Sequence, residues 1–231
     1  MCGIVGYVGS QNAVPVLISG LQSLEYRGYD SAGVAVLSND KIGIRKTKGK
    51  VDNLRNLLLT EPVAGKIGIG HTRWATHGAP SDMNAHPHFS NDDKIAVVHN
   101  GIIENYQELK NELEAKGYVF YSETDTETVA HLIDDYYKQE NDLLEAVRKT
   151  LERIEGSYAL GVLCTDYPDQ LIAARKESPL IVGLGKGENF IASDIPAILN
   201  YTKDAYILGD KELALVKADS VKLYDINGNE I

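Results

Sequence analysis

The chain has 231 residues, of which 43% are hydrophobic and 24% are charged, so a disordered, collagen-like or coiled-coil protein is excluded. The net charge of −10 argues against a nucleic-acid surface, because neutralising phosphates requires clustered Lys and Arg. The length suits one or two domains. We find no repeat, no low-complexity tract and no linker rich in Pro, Gly or Ser, and we therefore predict a single domain over residues 1–231.

The first half of the chain predicts alternating strands and helices. In the first helix the apolar residues recur at i, i+3, i+4 spacing, and Gly28 is placed to end it in a left-handed conformation. Asn39 and Asp40 lie between two apolar-rich runs and predict a tight hairpin. The predicted strands are 4–9, the two arms of that hairpin, 67–72 and 95–99, and the predicted helices are 12–26 and 51–59.

Three helices in the middle of the chain are predicted by their first residues. Each has a cap residue followed three positions later by a carboxylate, a spacing that satisfies backbone N–H groups of the first turn. The pairs are Asn105 with Glu108, Thr124 with Glu127, and Asp142 with Glu145, and Gly117 and Gly156 stand where two of the helices should end.

The last third predicts a series of short strands, beginning with the apolar run 158–164. Two clusters of strands with helices between them, and more strands than a three-layer sheet would use, indicate two stacked sheets covered by helices. We therefore predict the α+β class, with four layers.

The cysteines and the apolar runs indicate the compartment. No run approaches the ~18 residues of a membrane span, and a secretory signal is not expected because the first basic residue is Arg27. Cys2 and Cys164 are the only cysteines, which is too few for a disulfide framework. We expect a reducing cytoplasm and no contact with a membrane.

Cys2 is a candidate nucleophile. Aminopeptidases remove Met1 when the second residue is small, and the chain would then begin with a free Cys. A thiol is only about 3% thiolate at pH 7, whereas an α-amino group is roughly one-third neutral at pH 7.5 and can act as its base. One residue would then carry both nucleophile and base. The alternative is that Cys2 is simply the residue after Met1, and Cys164 in its apolar strand is interpreted as buried core.

Six blocks of sequence occur in a characteristic order: MCGIVGYVG, LEYRGYDSAG, GHTRWATHG, HNGIIENY, SETDTE and EGSYAL. Together they resemble the N-terminal glutaminase domain of the glutamine–fructose-6-phosphate aminotransferases. The resemblance implies the N-terminal-nucleophile hydrolase fold, an αββα sandwich. It also implies two further C-terminal sugar-isomerase domains that are absent from this chain, and a homodimeric full enzyme.

The resemblance implies that glutamine is hydrolysed to glutamate and ammonia through a γ-glutamyl thioester on Cys2. In the full enzyme the ammonia would aminate fructose 6-phosphate to give glucosamine 6-phosphate. Two alternatives stay open: the glutaminase domain of another class II amidotransferase, and a non-catalytic glutamine-binding module. Among the former, amidophosphoribosyltransferases usually have GHVRYST and HRGQDS where this chain has GHTRWATHG and YRGYDS, which favours the sugar aminotransferase.

The tetrahedral intermediate and the amino-acid end of glutamine both require specific partners. By resemblance, Asn100 and Gly101 form the oxyanion hole, although Asn-Gly is also the commonest tight-turn dipeptide and the residues alone favour a turn. Arg73 matches the residue that binds the α-carboxylate, and Asp125 the one that receives the α-ammonium. The alternatives are a surface arginine and a first-turn helix carboxylate.

The resemblance implies further residues around the substrate. Trp74, Thr76 and His77 belong to a stretch used as a lid over glutamine, although a lone Trp is ordinarily a packing residue. His86 borders the pocket, and Arg27 supports the start of the chain.

The histidines do not predict a metal site. Five of the six lie between positions 71 and 99, but no pair has the i, i+4 spacing of a zinc hydrolase, and HExxH and CxxC are absent. The glycine-rich segments GKG and GLGKGE do not complete a phosphate-binding loop. We therefore predict neither a metal nor a cofactor.

Overall fold

Thirteen β-strands build two antiparallel sheets in the computed structural model of the chain, which describes residues 1–231. In chain order the strands are β1 (Gly3–Val8), β2 (Ser31–Ser38), β3 (Lys41–Lys48), β4 (Ile67–Arg73), β5 (His88–Phe89), β6 (Ile95–Ile103), β7 (Gly156–Cys164), β8 (Gln170–Lys176), β9 (Ile181–Leu184), β10 (Asn189–Ala192), β11 (Ala205–Ile207), β12 (Glu212–Lys217) and β13 (Val221–Tyr224). The first sheet has the order β11-β9-β10-β1-β4-β2-β3, and the second has the order β13-β12-β8-β7-β6-β5.

Five α-helices cover the outer faces of the two sheets. They are α1 (Ala13–Ser23), α2 (Val51–Thr60), α3 (Tyr106–Ala115), α4 (Asp125–Glu140) and α5 (Leu143–Arg153). One apolar cluster lies between α1, α2 and the first sheet, a second between the sheets, and a third between the second sheet and the other three helices. The predicted α+β sandwich of four layers, αββα, is therefore confirmed.

The pleat of the strands decides which residues reach the layer between the sheets. Because alternate side chains of a strand point to opposite faces, Val5 and Tyr7 pack toward α1, whereas Ile4 and Val8 pack between the sheets. Ile69 of β4 and Val98 of β6 belong to the same inner layer. Two residues before Ile4, and two residues after Ile69 and Val98, the side chains on the same face are polar. These positions form the polar end of the inner layer.

Most predicted elements are present, and their hydrogen bonds correct several details. The predicted hairpin forms, with Asn39 and Asp40 both at positive φ, and Asp142 caps α5 by accepting from the Glu145 N–H at 3.0 Å. The helix predicted over 12–26 ends at Ser23, and Gly28 instead follows a short 3₁₀ turn with φ 99° and ψ 151°, which is not the left-handed helical conformation.

Two predicted caps and a second predicted helix end are also wrong. α3 and α4 start where expected, but neither Asn105 nor Thr124 makes a capping bond. Asn105 is used instead between α5 and β7, donating to the Arg153 carbonyl and accepting from the Glu155 N–H, both at 2.9 Å. Gly156 does not end α5, because it is the first residue of β7.

None of the helices is both long and apolar enough to pass through a bilayer. The longest of them, α4, has 16 residues and carries charged side chains along its length. This helix packs against β6 and α5 in the outer layer of the sandwich.

Candidate active site

The polar end of the inner layer brings together residues from two strands and the residue that precedes a third. Cys2 precedes β1 and lies two positions before Ile4, while His71 and Asn100 follow Ile69 and Val98 by the same step. The strand period therefore places all three on the inner faces, where the apolar packing stops. The sequence predicted Cys2 and Asn100 as site residues and did not single out His71.

The Cys2 thiol is half-buried and lies against the backbone of Trp74. Its Sγ accepts from the Trp74 N–H at 3.0 Å, and the Trp74 carbonyl oxygen lies 3.4 Å away. Burial raises the pKa of the Cys2 thiol, and the Trp74 N–H only partly opposes that shift. The thiol is consequently protonated at neutral pH and needs a base before it can attack.

Met1 lies outside this cluster, with 73% of its surface exposed. Its amino group donates to the Arg27 carbonyl oxygen at 2.6 Å. The Arg27 side chain lies beneath the chain start, donating to the Ser193 carbonyl oxygen at 3.3 Å and approaching the Asp194 carboxylate at 3.6 Å. Met1 is thus accessible to an aminopeptidase, and the predicted supporting residue Arg27 lies where the chain begins.

Asn100 and Gly101 lie inside β6, where they pair with Ala159 and Tyr158 of β7. The prediction of a tight turn, which the dipeptide alone favours, is therefore wrong. The Asn100 Nδ2 donates to the Cys2 carbonyl oxygen at 3.1 Å. Gly101 has φ +126°, and a Cβ there would lie 2.2 Å from the Ser157 carbonyl oxygen, so no larger residue fits beside the nucleophile.

Arg73 ends β4 and is buried beneath the segment that follows it. Its guanidinium donates to the carbonyl oxygens of His77, Gly78 (2.7 Å) and Ala79 (3.4 Å), and it lies 3.7 Å from the Asp30 carboxylate. Asp30 also accepts from the Ala75 N–H. Arg73 and Asp30 together hold both ends of the 74–80 segment, and a carboxylate ligand of Arg73 would have to replace some of these carbonyl contacts.

Asp125 is the first residue of α4, and it is buried with its carboxylate facing the same cleft. Its Oδ2 accepts from the Ile103 N–H at 2.8 Å. The Nδ1 atoms of His77 and His99 lie 3.9 and 4.0 Å from the two carboxylate oxygens. The carboxylate is therefore fixed between the 74–80 segment and β6.

The cleft between these residues is narrow. Its volume is about 10 Å³, on the order of one water molecule, and Thr76 and His86 complete its lining together with Thr124 and Thr126. Trp74 is 55% exposed and rests on Gly28, where a Cβ would lie 3.0 Å from the indole ring. Because Arg73 donates to the carbonyl oxygens of residues 77–79, a substrate carboxylate would reach its guanidinium only after the 74–80 segment moves.

A cluster of buried histidines lies behind the cleft. The rings of His71 and His86 stack with centroids 4.1 Å apart, and the His88 ring meets His86 edge-on at 4.8 Å. The His99 Nδ1 forms a hydrogen bond with the Thr126 hydroxyl at 3.0 Å. Groups of three or more His, Cys, Asp or Glu side chains arranged to hold a metal ion do not occur in the structure. His99, Thr124 and Thr126 line the cleft without having been predicted.

Burial of these histidines predicts acid lability. It lowers the pKa of His71 to about 3 and the pKa values of His86 and His88 well below 6.5. Below pH 6.5 the unfolded chain binds protons that the folded chain excludes, so the free energy of unfolding falls as the pH drops from about 6.5 toward 3. Each excluded proton costs up to about 1.4 kcal/mol per pH unit.

The expected result is a lower urea midpoint at pH 5 than at pH 7. Carboxylates of an unfolded chain titrate mainly near pH 4, so a histidine variant is needed to separate the histidine contribution from theirs. His88→Gln should reduce the pH slope by up to one proton. An unfolding free energy that stays constant between pH 7 and pH 5 would contradict the buried neutral cluster.

Comparisons with known proteins are consistent with one another. A family model described as a glutamine amidotransferase domain matches residues 71–200. The chain is 62% identical over its whole length to a glutamine–fructose-6-phosphate aminotransferase (isomerising) of Caldanaerobacter subterraneus subsp. tengcongensis and 54% identical to that of Aquifex aeolicus. It spans only 38% and 39% of the length of those relatives.

Two solved structures share the fold. A glutamine phosphoribosylpyrophosphate amidotransferase of B. subtilis superposes with a TM-score of 0.83 at 27% identity, over 99% of this chain and 50% of that one. A glutamine aminotransferase class-II domain protein of Silicibacter pomeroyi gives a TM-score of 0.66 at 14% identity, over 97% of this chain and 99% of that one, which is a likeness of fold alone.

Proposed function

The chain belongs to the glutamine amidotransferase domain family, and from that premise we propose that it hydrolyses glutamine to glutamate and ammonia through a thioester on Cys2. The resemblance to the sugar aminotransferases is confirmed, since the identity reaches 62% against 27% for the phosphoribosylpyrophosphate amidotransferase. One observation carries the proposal: half-buried Cys2 lines a cleft together with Arg73 and Asp125, and its carbonyl oxygen accepts a hydrogen bond from Asn100.

The first half of the reaction uses the start of the chain. With Met1 removed, the neutral α-amino group of Cys2 takes the thiol proton, and the sulfur attacks the side-chain amide carbon of glutamine. The oxyanion that forms is stabilised by the Asn100 amide and the Gly101 N–H. The intermediate collapses to a γ-glutamyl thioester, and ammonia leaves with the proton that the α-amino group held.

The second half restores the enzyme. The α-amino group accepts a proton from water as the water oxygen attacks the thioester carbon, and the same donors stabilise the second oxyanion. The carbon–sulfur bond then breaks, the thiol recovers its proton and glutamate is released. The Cys2 sulfur is therefore the nucleophile in the first half and the leaving group in the second, and the α-amino group is the base in both.

Arg73 and Asp125 would recognise the amino-acid end of glutamine. When the 74–80 segment moves, the guanidinium exchanges backbone carbonyls for the α-carboxylate, which binds it through two parallel hydrogen bonds. Asp125 receives the α-ammonium, and closure of Trp74, Thr76 and His77 over the substrate excludes water from the thioester. His86 lines the same cleft, and Arg27 supports the terminus.

The proposal extends to the protein of which such a domain forms part. The relatives are more than twice as long as this chain. We propose that the chain acts as one glutaminase domain over residues 1–231, joined in the full protein to C-terminal sugar-isomerase domains in a homodimer. The ammonia would there aminate fructose 6-phosphate to give glucosamine 6-phosphate. A cavity of about 310 Å³ lined by Cys2, Trp74 and Ile102 offers a place for the ammonia to leave.

The proposal is tested by incubating the chain with glutamine and measuring glutamate and ammonia. Equal amounts of both products are expected, and asparagine should release little ammonia because its shorter side chain does not reach Cys2 while Arg73 and Asp125 hold its other end. Glutamine binding without product would favour the non-catalytic module and contradict the proposal.

Arg73→Ala should raise the KM for glutamine 10- to 100-fold and change kcat much less, because a charged hydrogen bond contributes about 1.5–3 kcal/mol and this one holds substrate and transition state alike. Steady-state kinetics measure both constants. Arg55→Ala is the matched control, since Arg55 lies on α2 with its side chain half exposed. A large loss of kcat at unchanged KM would make Arg73 part of the chemistry instead.

A further inference from the structure

The proposed oxyanion donor Asn100 has a partner that the mechanism above does not use. His71 lies on β4, is fully buried, and places its Nε2 2.9 Å from the Asn100 Oδ1 and 3.0 Å from the His99 carbonyl oxygen. Its other ring nitrogen, Nδ1, is buried and has no hydrogen-bond partner. His71 is therefore the side chain that contacts the far end of the Asn100 amide.

The surroundings of His71 determine where its proton lies. Both atoms near Nε2 are oxygen acceptors, so Nε2 must carry a hydrogen and donate it. A second proton on Nδ1 would be a buried charge without a partner, which is strongly disfavoured. The ring is consequently neutral, protonated at Nε2, and held in place by stacking on His86.

The proton on His71 sets the orientation of the Asn100 amide. With Oδ1 bound to the His71 N–H, Nδ2 faces Cys2, and one of its hydrogens is donated to the Cys2 carbonyl oxygen at 3.1 Å. The second hydrogen stays available for the oxyanion. In the flipped amide the NH₂ would face the His71 N–H, and the oxygen would face the Cys2 carbonyl oxygen. Two donors and two acceptors would then be in contact without a hydrogen bond.

We propose that His71 is a positioning residue that holds the side-chain oxygen of Asn100. The Asn100 amide nitrogen then faces the oxyanion that forms on the substrate when Cys2 attacks. The inference rests on the proposed function, because it assigns His71 a role through the oxyanion donor. His71 itself touches neither substrate nor nucleophile. Its contribution should therefore appear in kcat and depend on Asn100.

A double-mutant cycle tests this dependence. His71→Phe keeps a flat ring for stacking but removes the donor, and it should lower kcat about 10- to 100-fold with KM within about threefold, less than the 10²–10³-fold expected for Asn100→Ala. In the Asn100→Ala background, His71→Phe should have no further effect on kcat, since the group it orients is gone.

His131 provides the matched control. It is equally buried, and its Nε2 likewise faces a backbone carbonyl, that of Val119 at 3.1 Å, but it lies on α4 away from Asn100. His131→Phe should lower the unfolding midpoint and leave kcat unchanged in the folded enzyme. Equal losses of kcat in His131→Phe and His71→Phe would overturn the proposal.

Further outcomes separate this inference from the proposed function. If Asn100→Ala keeps full activity, the oxyanion assignment fails. If Asn100→Ala is impaired but the two substitutions multiply in their effects on kcat, only the role of His71 fails. Nitrogen-15 NMR of the unsubstituted chain at pH 7 supplies a test that needs no variant: His71 should be neutral and protonated at Nε2, and the Nδ1 tautomer or a cation would overturn the proposal.

Discussion

Replacing Cys2 by Ala should abolish glutamine turnover, by a factor on the order of 10⁶ as for removal of other covalent nucleophiles. The remaining groups around the cleft cannot replace the sulfur, because the other thiol, Cys164, is buried elsewhere in the fold. Glutamine should still bind, since Arg73 and Asp125 are untouched. Initial rates of glutamate formation and calorimetric titration with glutamine measure the two quantities separately.

Cys164→Ala is the matched control for this substitution. Cys164 ends β7, is fully buried in the apolar layer under the helices, and burial raises its pKa to about 11. It is therefore an unreactive thiol, as the sequence predicted. The variant should turn over glutamine at the normal rate, and normal turnover by Cys2→Ala would contradict the nucleophile assignment.

A residue added ahead of Cys2 should reduce turnover as severely as loss of the sulfur. The nitrogen of Cys2 then stays in an amide, which cannot accept a proton, and the thiol pKa is already raised by burial. A leader that ends in a bulky residue and a protease site, with cleavage directly before Cys2, allows the same polypeptide to be assayed before and after cutting.

The cut sample provides the control for this experiment. Before cleavage we expect binding of glutamine without release of glutamate, and after cleavage the rate should rise to that of the native chain. Met1 itself is exposed and its amino group donates to the Arg27 carbonyl oxygen, so the leader has room outside the fold. Equal rates before and after cleavage would exclude the α-amino group as the base.

The layers could be predicted because the spacing of apolar residues within a short window distinguishes strands from helices. The start of α5 followed from Asp142, whose side chain reaches an N–H only three residues away. Asn105 failed as a cap for the opposite reason: its amide bonds to residues 153 and 155, about fifty positions later. Such a long-range competitor is invisible to a local pattern.

The same limit applied at the candidate site. Asn100 and Gly101 have the preferences of a turn, but pairing with β7 holds them in a strand, and β7 begins more than fifty residues later. The resemblance supplied their proposed role in the oxyanion hole, whereas the residues alone favoured the turn. His71 had a usable signal, since it lies two positions before Arg73 on the same face of β4, yet its contact with Asn100 arises only when the two sheets stack.

The most direct test of the account is the intact mass of the chain quenched in acid during turnover of glutamine. The account predicts that active molecules begin at Cys2, without Met1, and that a fraction carries one glutamyl group that peptide mapping places on Cys2. Glutamate formation by molecules that all retain Met1, or a glutamyl group on any other residue, would contradict it.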